Sequence, residues 1–439
     1  MSKHSLRPDR SPTLGDAGRR SEIGKQSELS DAQGRAAEVA RLSYGRLLAL
    51  LGSRTGDIMS AEDALADAFR TALETWPERG VPTNPEAWLL TVSRNRMRDH
   101  HKSAANRTRA DLTDGMAVAM TDIDPDSIPD KRLELLFVCA HPAIDESVRT
   151  PMNLQTVLGL QASEIGRAFL VPEAAMAQRL VRAKRKIKAS AIPFAIPGRT
   201  EMPARLEAVL EAIYGSYALS IDGVSANADD LASEALYLST LLAELLPEQA
   251  EVLGLASLLS FTCARSAARH SRDGVLVPLD EQDVRLWDFR MISRAFSLLA
   301  AAQALNVVEE LPGRFQIEAA IQEVHSERIS TGVTNWPMIS RLYEALVRVH
   351  PTIGAGVAWA ASVGMALDAE EGLKCLGKLE PAAIEQFQPA WATRARLLEM
   401  VGEREAALKA YRRAIDLSTN IPARRYLEMQ EKRIMSKSA

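Results

Sequence analysis

The chain has 439 residues, 46% of them hydrophobic, 25% charged and 5% aromatic, with a net charge of −4. That length accommodates roughly two to four domains with buried cores, and abundant Ala and Leu beside few aromatic residues points to helix packing rather than sheets. Cys139, Cys263 and Cys375 are far apart and lack CxxC spacing, which argues against a disulfide framework and for reduced thiols. The longest apolar run, around Val252 to Ala264, is too short to span a bilayer, and the N-terminus lacks the apolar core of a signal peptide, so a cytoplasmic protein is expected.

Residues 1–35 mix Ser, Pro, Gly, Arg and Asp without periodicity and are expected to be a disordered extension. Within them Gly18 to Lys25 is a poor phosphate loop: the glycine spacing is one residue too long, and Gln26 stands where a magnesium ligand is required. Residues 36–107 read as a first helical domain, with helices over Ala36 to Leu51, Ser60 to Trp76 and Asn84 to Lys102. Ser60 followed by Asp63 gives a capping-box-like start, and Asn84-Pro85 supplies an N-cap with proline in the first turn. Residues 108–129, rich in Asp, Thr and Met, read as a linker.

Residues 130–190 form a second helical module, in which Pro151 is expected to kink or restart a helix. Its most informative stretch is Ala162 to Ser190: a short helix, a Val-Pro-Glu corner and a longer helix loaded with Arg and Lys, the pattern of a helix-turn-helix. Pro172 and Glu173 suit a first helical turn, and Glu173 sets negative charge against the positive end of the helix dipole. Met176, Leu180, Ala183 and Ile187 then fall on one apolar stripe, expected to pack on Ile165, Phe169 and Leu170. The remaining face carries Gln178, Arg179, Arg182, Arg185 and Lys186, donors suited to phosphates and base edges in a major groove. From Lys131 to Ser190 ten Lys or Arg face five Asp or Glu, whereas from Asp222 to Glu323 seven face sixteen, so a basic module precedes an acidic one.

Residues 191–202, containing Ile192-Pro-Phe-Ala-Ile-Pro-Gly198, form a proline-punctuated connector. Residues 203–439 read as a series of amphipathic helices. Gly402, Ala407, Tyr411, Ala414 and Leu417 lie at offsets found in tetratricopeptide repeats, where small residues let helices approach closely.

These residues together resemble the extracytoplasmic-function (ECF) sigma factors of the sigma-70 family, in the group with a C-terminal tetratricopeptide-like extension. The stretch AEDALADAFRTALETWP, Ala61 to Pro77, looks like the family's core-binding helix. Pro85, Ala87, Trp88, Leu89, Val92, Arg94, Asn95 and Asp99 match the segment that reads the −10 element; in the second module Phe137, Cys139, His141, Pro142 and Ala143, then Glu164, Ile165, Ala168 to Pro172, Met176 to Leu180, Arg182 and Lys184 match the family pattern. The resemblance implies an all-α fold: two small helical sigma domains, region 2 at 36–107 and a region 4 helix-turn-helix at 130–190, followed by a helical repeat-like domain. It implies that Glu62, Asp63, Asp67 and Phe69 bind core RNA polymerase. Arg94, Asn95, Arg96 and Arg98 would bind −10 DNA, with the loop Glu78 to Thr83 capturing a flipped base; Gln178, Arg179, Arg182, Arg185 and Lys186 would bind −35 DNA, with Lys188 also on phosphate. Trp76 and Trp88, at helical spacing among apolar neighbours, read as core rather than stacking platforms. His141, without a second ligand at metal spacing, reads as a structural helix-end histidine.

The expected partners are core polymerase and promoter DNA, no membrane, and an unknown ligand or protein on the C-terminal domain, which would regulate initiation. No metal, cofactor or catalytic residue is expected: there is no nucleophile elbow, phosphate loop, dinucleotide fingerprint or metal constellation. The competing class is a stand-alone helix-turn-helix regulator with a helical-repeat sensor, which would not require the acidic cluster at Glu62, Asp63 and Asp67.

Overall fold

The structure, a computed structural model, describes residues 14–106, 130–221, 228–306 and 312–436. It divides into two compact units, Met1–Leu206 and Glu207–Ala439. The described residues are all-α: their one β feature is an isolated antiparallel bridge between His270 and Leu276.

The first unit contains α1 (Leu14–Thr55), α2 (Ile58–Arg79), α3 (Pro85–Asn106), α4 (Arg132–Cys139), α5 (Glu146–Thr156), α6 (Ala162–Ala168) and α7 (Glu173–Ala189). The expected disorder before residue 36 is corrected from Leu14 onward, because α1 starts there. No proline follows Pro12 in this stretch, and adding residues to a helix whose far end is already packed avoids a new nucleation step. The packed end is clear: Leu47, Leu48, Ala49 and Leu51 are buried. The expected linker at 108–129 lies outside the described residues.

Local sequence explains the ends of these helices. The expected capping-box start at Ser60 and Asp63 is corrected: α2 begins at Ile58, and Asp57 caps it by accepting from the Ser60 amide at 3.1 Å, because its carboxylate sits three residues before that free amide. Asn84 accepts from the Ala87 amide at 3.0 Å at the start of α3, as expected. Helix α5 continues through Pro151, which is buried, so the expected restart does not occur. In an eleven-residue helix Pro151 lies at the sixth position, where its missing N–H removes a single ladder bond.

The second unit holds most of α8 (Pro203–Ile221), then α9 (Ala228–Leu245), α10 (Ala250–Cys263), α11 (Phe289–Ala304), α12 (Arg314–Ser326), α13 (Arg328–Thr331) and α14 (Trp336–Val349). It closes with α15 (Ile353–Ala366), α16 (Ala369–Gly377), α17 (Pro381–Glu385), α18 (Gln388–Val401), α19 (Arg404–Leu417) and α20 (Ile421–Ser436). Helix α10 is its central rod. Every residue from Val252 to Phe261 is buried, and the Ser257 hydroxyl donates to the Ala295 carbonyl of α11 at 2.8 Å. At the other end Ala407, Tyr411 and Ala414 of α19 are buried in one cluster with Leu427 and Ile434 of α20, and Gly402 ends α18 in a left-handed conformation.

Two side chains tie this unit together in ways that local pattern does not show. Helix α12 has no side-chain cap of its own; Glu251 of α10 accepts from the Phe315 and Gln316 amides at 3.0 and 3.2 Å. Between α10 and α11 the chain is irregular, and its Trp287 is buried between the guanidinium groups of Arg265 and Arg328, 5.5 and 5.4 Å from the ring centre. His325 sits beside this group, edge-on to Trp336 at 5.7 Å. Burial, then the charges of Arg265 and Arg328, lower its pKa to about 4.

Replacing Glu251 by Ala is expected to cost about 1–2 kcal/mol, the usual worth of a helix cap, measured by chemical denaturation of the full chain. His325 is neutral when folded, and its pKa is depressed relative to the unfolded chain. Its contribution is therefore complete above about pH 6.5 and declines as pH falls towards about 4. Acidification from pH 7 to pH 5 should cost the second unit about 2 kcal/mol through this group, and most of that pH dependence should vanish in His325→Gln.

Candidate polymerase and nucleic-acid interfaces

Helix α2 presents its acidic residues on two faces rather than one. At about 100° per residue, Asp63 and Asp67 point away from the buried stripe formed by Ala61, Ala64, Leu65, Ala68 and Ala72, whereas Glu62 and Phe69 border it. Asp63 is exposed, Asp67 pairs with Arg70 at 2.8 Å, and Phe69 is half-buried. Glu62 is turned inward. Both its carboxylate oxygens accept from Nζ of Lys184 on α7, at 2.5 and 2.7 Å, and burial pushes its pKa up.

Helix α3 gathers part of its expected group. Arg94, Asn95 and Arg98 fall within about 100° of arc, while Arg96 points elsewhere. Asn95, Arg96 and Arg98 are exposed; Arg94 is half-buried, and burial followed by the nearby Arg54 lowers its pKa. Buried Leu89, Leu90, Ser93 and Met97 anchor the opposite side. Trp76 is buried and meets half-buried Trp88 edge to face, ring centres 5.5 Å apart, which agrees with a packing role for Trp76. Glu78 still belongs to α2; the connection to α3 begins at Gly80, whose φ of 82° is left-handed.

The two helices expected around Pro172 are present as α6 and α7. Their connection depends on Gly166: a Cβ there would lie 2.7 Å from the Val171 carbonyl oxygen, and the Val171 amide donates to the Gly166 carbonyl at 2.8 Å. Pro172 is the N-cap of α7 rather than part of its first turn. Ile165, Met176, Leu180 and Ile187 are buried as expected, but Leu170 is 93% exposed and Phe169 40% exposed. The expectation that Phe169 and Leu170 cover α7 is therefore corrected. The left-handed turn at Leu170, φ 53°, directs that side chain outward.

Gln178, Arg179, Arg182, Arg185 and Lys186 are all exposed and lie within about 120° of arc on α7. None of these four cations makes an ion pair among the described residues. Arg179, Arg182 and Lys186 line one side of a cleft of 550 Å³ whose other side is Asp145, Ser147 and Val148. Five donors without acidic partners on one helical face can serve an anionic lattice. Lys188, expected on phosphate, instead contacts Asp57 at 2.5 Å. Burial raises the pKa of Asp57, but hydrogen bonds from Lys188 and Ser60 outweigh it and leave the carboxyl below its ordinary value.

Lys184 is the residue that sequence reasoning undervalued. It lies four residues after Leu180 and three before Ile187, within the apolar stripe, and is 7% exposed. A lysine in a buried stripe is a signal that a carboxylate waits on the facing element.

Elsewhere, His141 follows the end of α4, and its Nδ1 accepts from the Ala143 amide at 3.0 Å, a local structural role. Cys139 is buried against Thr156, and burial pushes its thiol pKa up to about 12. Among the described residues no group of three or more His, Cys, Asp or Glu is arranged to hold a metal, and no helix is long and apolar enough to cross a membrane.

Comparison with known proteins bears on both units. Residues 40–107, which span the end of α1 with α2 and α3, match sigma-70 region 2. Residues 205–303 match DUF6596, a family of unknown function. An uncharacterized protein of Rhizobium meliloti (strain 1021) is 36% identical over 383 residues, covering 84% of this chain and 89% of the other. No solved structure matches. Region 2 of the sigma-70 type is thus carried on α1 to α3, and over most of its length the chain belongs to one family with the Rhizobium protein.

Proposed function

We propose that this protein is an ECF-type sigma factor that binds core RNA polymerase and directs promoter-specific initiation. The observation that carries the reading is a sigma-70 region 2 match joined, in one compact unit, to a helix whose outer face bears four cations without acidic partners. On this reading α6 and α7 form a helix-turn-helix that reads the −35 element through Gln178, Arg179, Arg182, Arg185 and Lys186. Arg94, Asn95 and Arg98 of α3 hold the −10 strand, with Arg96 on its flank. Single-strand binding of that kind combines backbone neutralisation with base stacking. On α2, exposed Asp63 and, on the same face, half-buried Asp67 with its Arg70 partner meet a basic surface of polymerase. The protein acts in the cytoplasm, beside polymerase, and supplies recognition rather than catalysis.

The second unit is a tetratricopeptide-like regulatory domain on this proposal. Supporting this are Gly402 at the end of α18 and the small buried residues Ala407, Ala410 and Ala414 that let neighbouring helices approach α19 closely.

The deciding measurement is promoter-directed transcription with purified core polymerase, comparing the full-length chain with Asp63→Ala/Asp67→Ala. This pair is preferable to one that includes Glu62, whose loss would leave Lys184 buried without a partner. Core affinity should fall at least about tenfold, as expected for removing charge complementarity at an interface, with the helical content unchanged. If core binding and initiation are absent already in the unmodified chain, the stand-alone regulator takes the place of this reading.

For DNA contact, Arg182→Gln should weaken binding to promoter fragments. It should also lower the slope of log affinity against log salt by about 0.9 for a phosphate contact, or leave the slope intact while relaxing base preference for a base contact. A salt titration by fluorescence anisotropy separates the two.

A further inference from the structure

Among the described residues, the arginines that are buried are Arg132, Arg205 and Arg265. Arg132 pairs with Asp130 at 2.7 Å and Arg205 with Glu201 at 2.6 Å. Arg314 of α12, largely buried in the second unit, has two carboxylates, Glu211 and Glu318. Arg265, just after α10 and 5% exposed, has none. Arg269 and Arg328 stand close enough for their charges to act on it, and neither of them makes an ion pair among the described residues. Carboxylates are not scarce here, since from Asp222 to Glu323 sixteen Asp or Glu outnumber seven Lys or Arg. Three guanidinium groups are nevertheless gathered without one.

The contacts these groups do make are neutral. Arg265 donates through Nη2 to Oε1 of Gln322 and lies over the Trp287 ring, but its buried Nη1 has no acceptor. Arg269 donates to the Tyr217 hydroxyl at 2.9 Å, and Arg328 to the carbonyls of Leu279, at 2.9 Å, and Gln282. None of these acceptors carries the charge that an interior cation calls for. Burial accordingly pulls the pKa of Arg265 down to about 10, and the charges of Arg269 and Arg328 act in the same direction. Arg269 and Arg328 are half-buried, so the cationic group runs from solvent to a floor at Arg265. A small terminal group can enter such a recess, whereas a duplex cannot. Guanidinium forks match oxyanions. A carboxylate would bring one charge against three cations, while a phosphate group brings about two and three acceptor oxygens.

We propose that the second unit binds the phosphate group of a small ligand, inorganic phosphate or a phosphomonoester, with Arg265 at the floor of the site and Arg269 and Arg328 at its mouth. The free Nη1 of Arg265 donates to a phosphate oxygen, and the ligand supplies the anion that the chain itself does not. The site lies within the second unit alone, so it stands whether or not the sigma-factor reading does.

The test is calorimetry of the full-length chain in phosphate-free buffer, with inorganic phosphate, glycerol 3-phosphate or acetate added at matched ionic strength. At a hundredfold excess over the dissociation constant found by titration, phosphate or the monoester should raise the melting temperature of the second unit by about 5–10 °C. The tighter of the two identifies the source of the phosphate group, and acetate should leave the transition where it is. Arg265→Met should abolish the shift. Without phosphate this variant should melt no lower than the unmodified chain, because it removes a buried charge that lacks an anion. Arg269→Gln, at a half-buried position, should weaken binding about tenfold with the fold intact, and it decides alone if Arg265→Met folds poorly. His325 gives a local readout by nuclear magnetic resonance, its ring signals identified by their loss in His325→Gln. Bound phosphate should raise the pH at which they titrate, since the anion offsets the Arg265 and Arg328 charges beside the ring. No stabilisation by either phosphate compound, equal stabilisation by acetate, or stabilisation that survives both arginine substitutions overturns the proposal. Binding that leaves the His325 titration unmoved lies elsewhere and overturns it too.

Discussion

Placing a lysine in the buried stripe of a helix creates an obligation. An ammonium group removed from water without an anion is far costlier than an unpaired amide, so the element that faces Lys184 must supply a carboxylate, and Glu62 of α2 does so with both oxygens. The requirement works in both directions. Glu62 borders the alanine-lined stripe of α2, where burial disfavours its charge, and Lys184 is the cation that offsets the penalty. Buried pairs of this type add little net stability over an apolar substitute, but breaking one by removing a single partner is expensive. The pair therefore specifies which faces of α2 and α7 meet.

Once those faces are fixed, the remaining polar residues of the two helices are sorted. On α7, the positions around Lys184 and Lys188 turn toward α2, and Gln178, Arg179, Arg182, Arg185 and Lys186, on the other side of the stripe, are left to solvent without an ion pair. On α2, Asp63 and Asp67 lie on a different face from Glu62, Asp63 exposed to solvent and Asp67 paired with Arg70. A charge cluster that is continuous along the chain is thus divided in space between an internal contact and an outer surface. The division gives the two acidic groups different expected behaviour toward substitution.

The second unit solves a different problem, the stacking of many short helices. Its central helix α10 is apolar on every side because neighbours surround it, and that leaves Glu251 at its first turn to satisfy the amides that begin α12. Trp287, held between two guanidinium groups, fills the gap where the helical pattern lapses between α10 and α11. Arg265, Arg328 and the neutral His325 show how an interior can concentrate cationic side chains: aromatic faces and carbonyl groups take the place of carboxylates.

Much of this was legible in the chain alone. Apolar spacing, the cap at Asn84, the Pro172 corner and the one-sided charge of α7 are local properties, dictated by the 3.6-residue period and by which side chains reach the first free amides. They placed the helices, the core of the first unit and the exposed cationic face. What local properties do not contain is the identity of a partner more than a hundred residues away. Leu170 turned outward because a single left-handed residue redirects the corner, and residues 14–35 joined α1 because a helix already packed at one end extends cheaply. Glu62 and Lys184 looked like members of two separate charged surfaces. Only the tertiary structure made them partners, because burial, which no window of sequence measures, decides whether a charged side chain faces water or another charge.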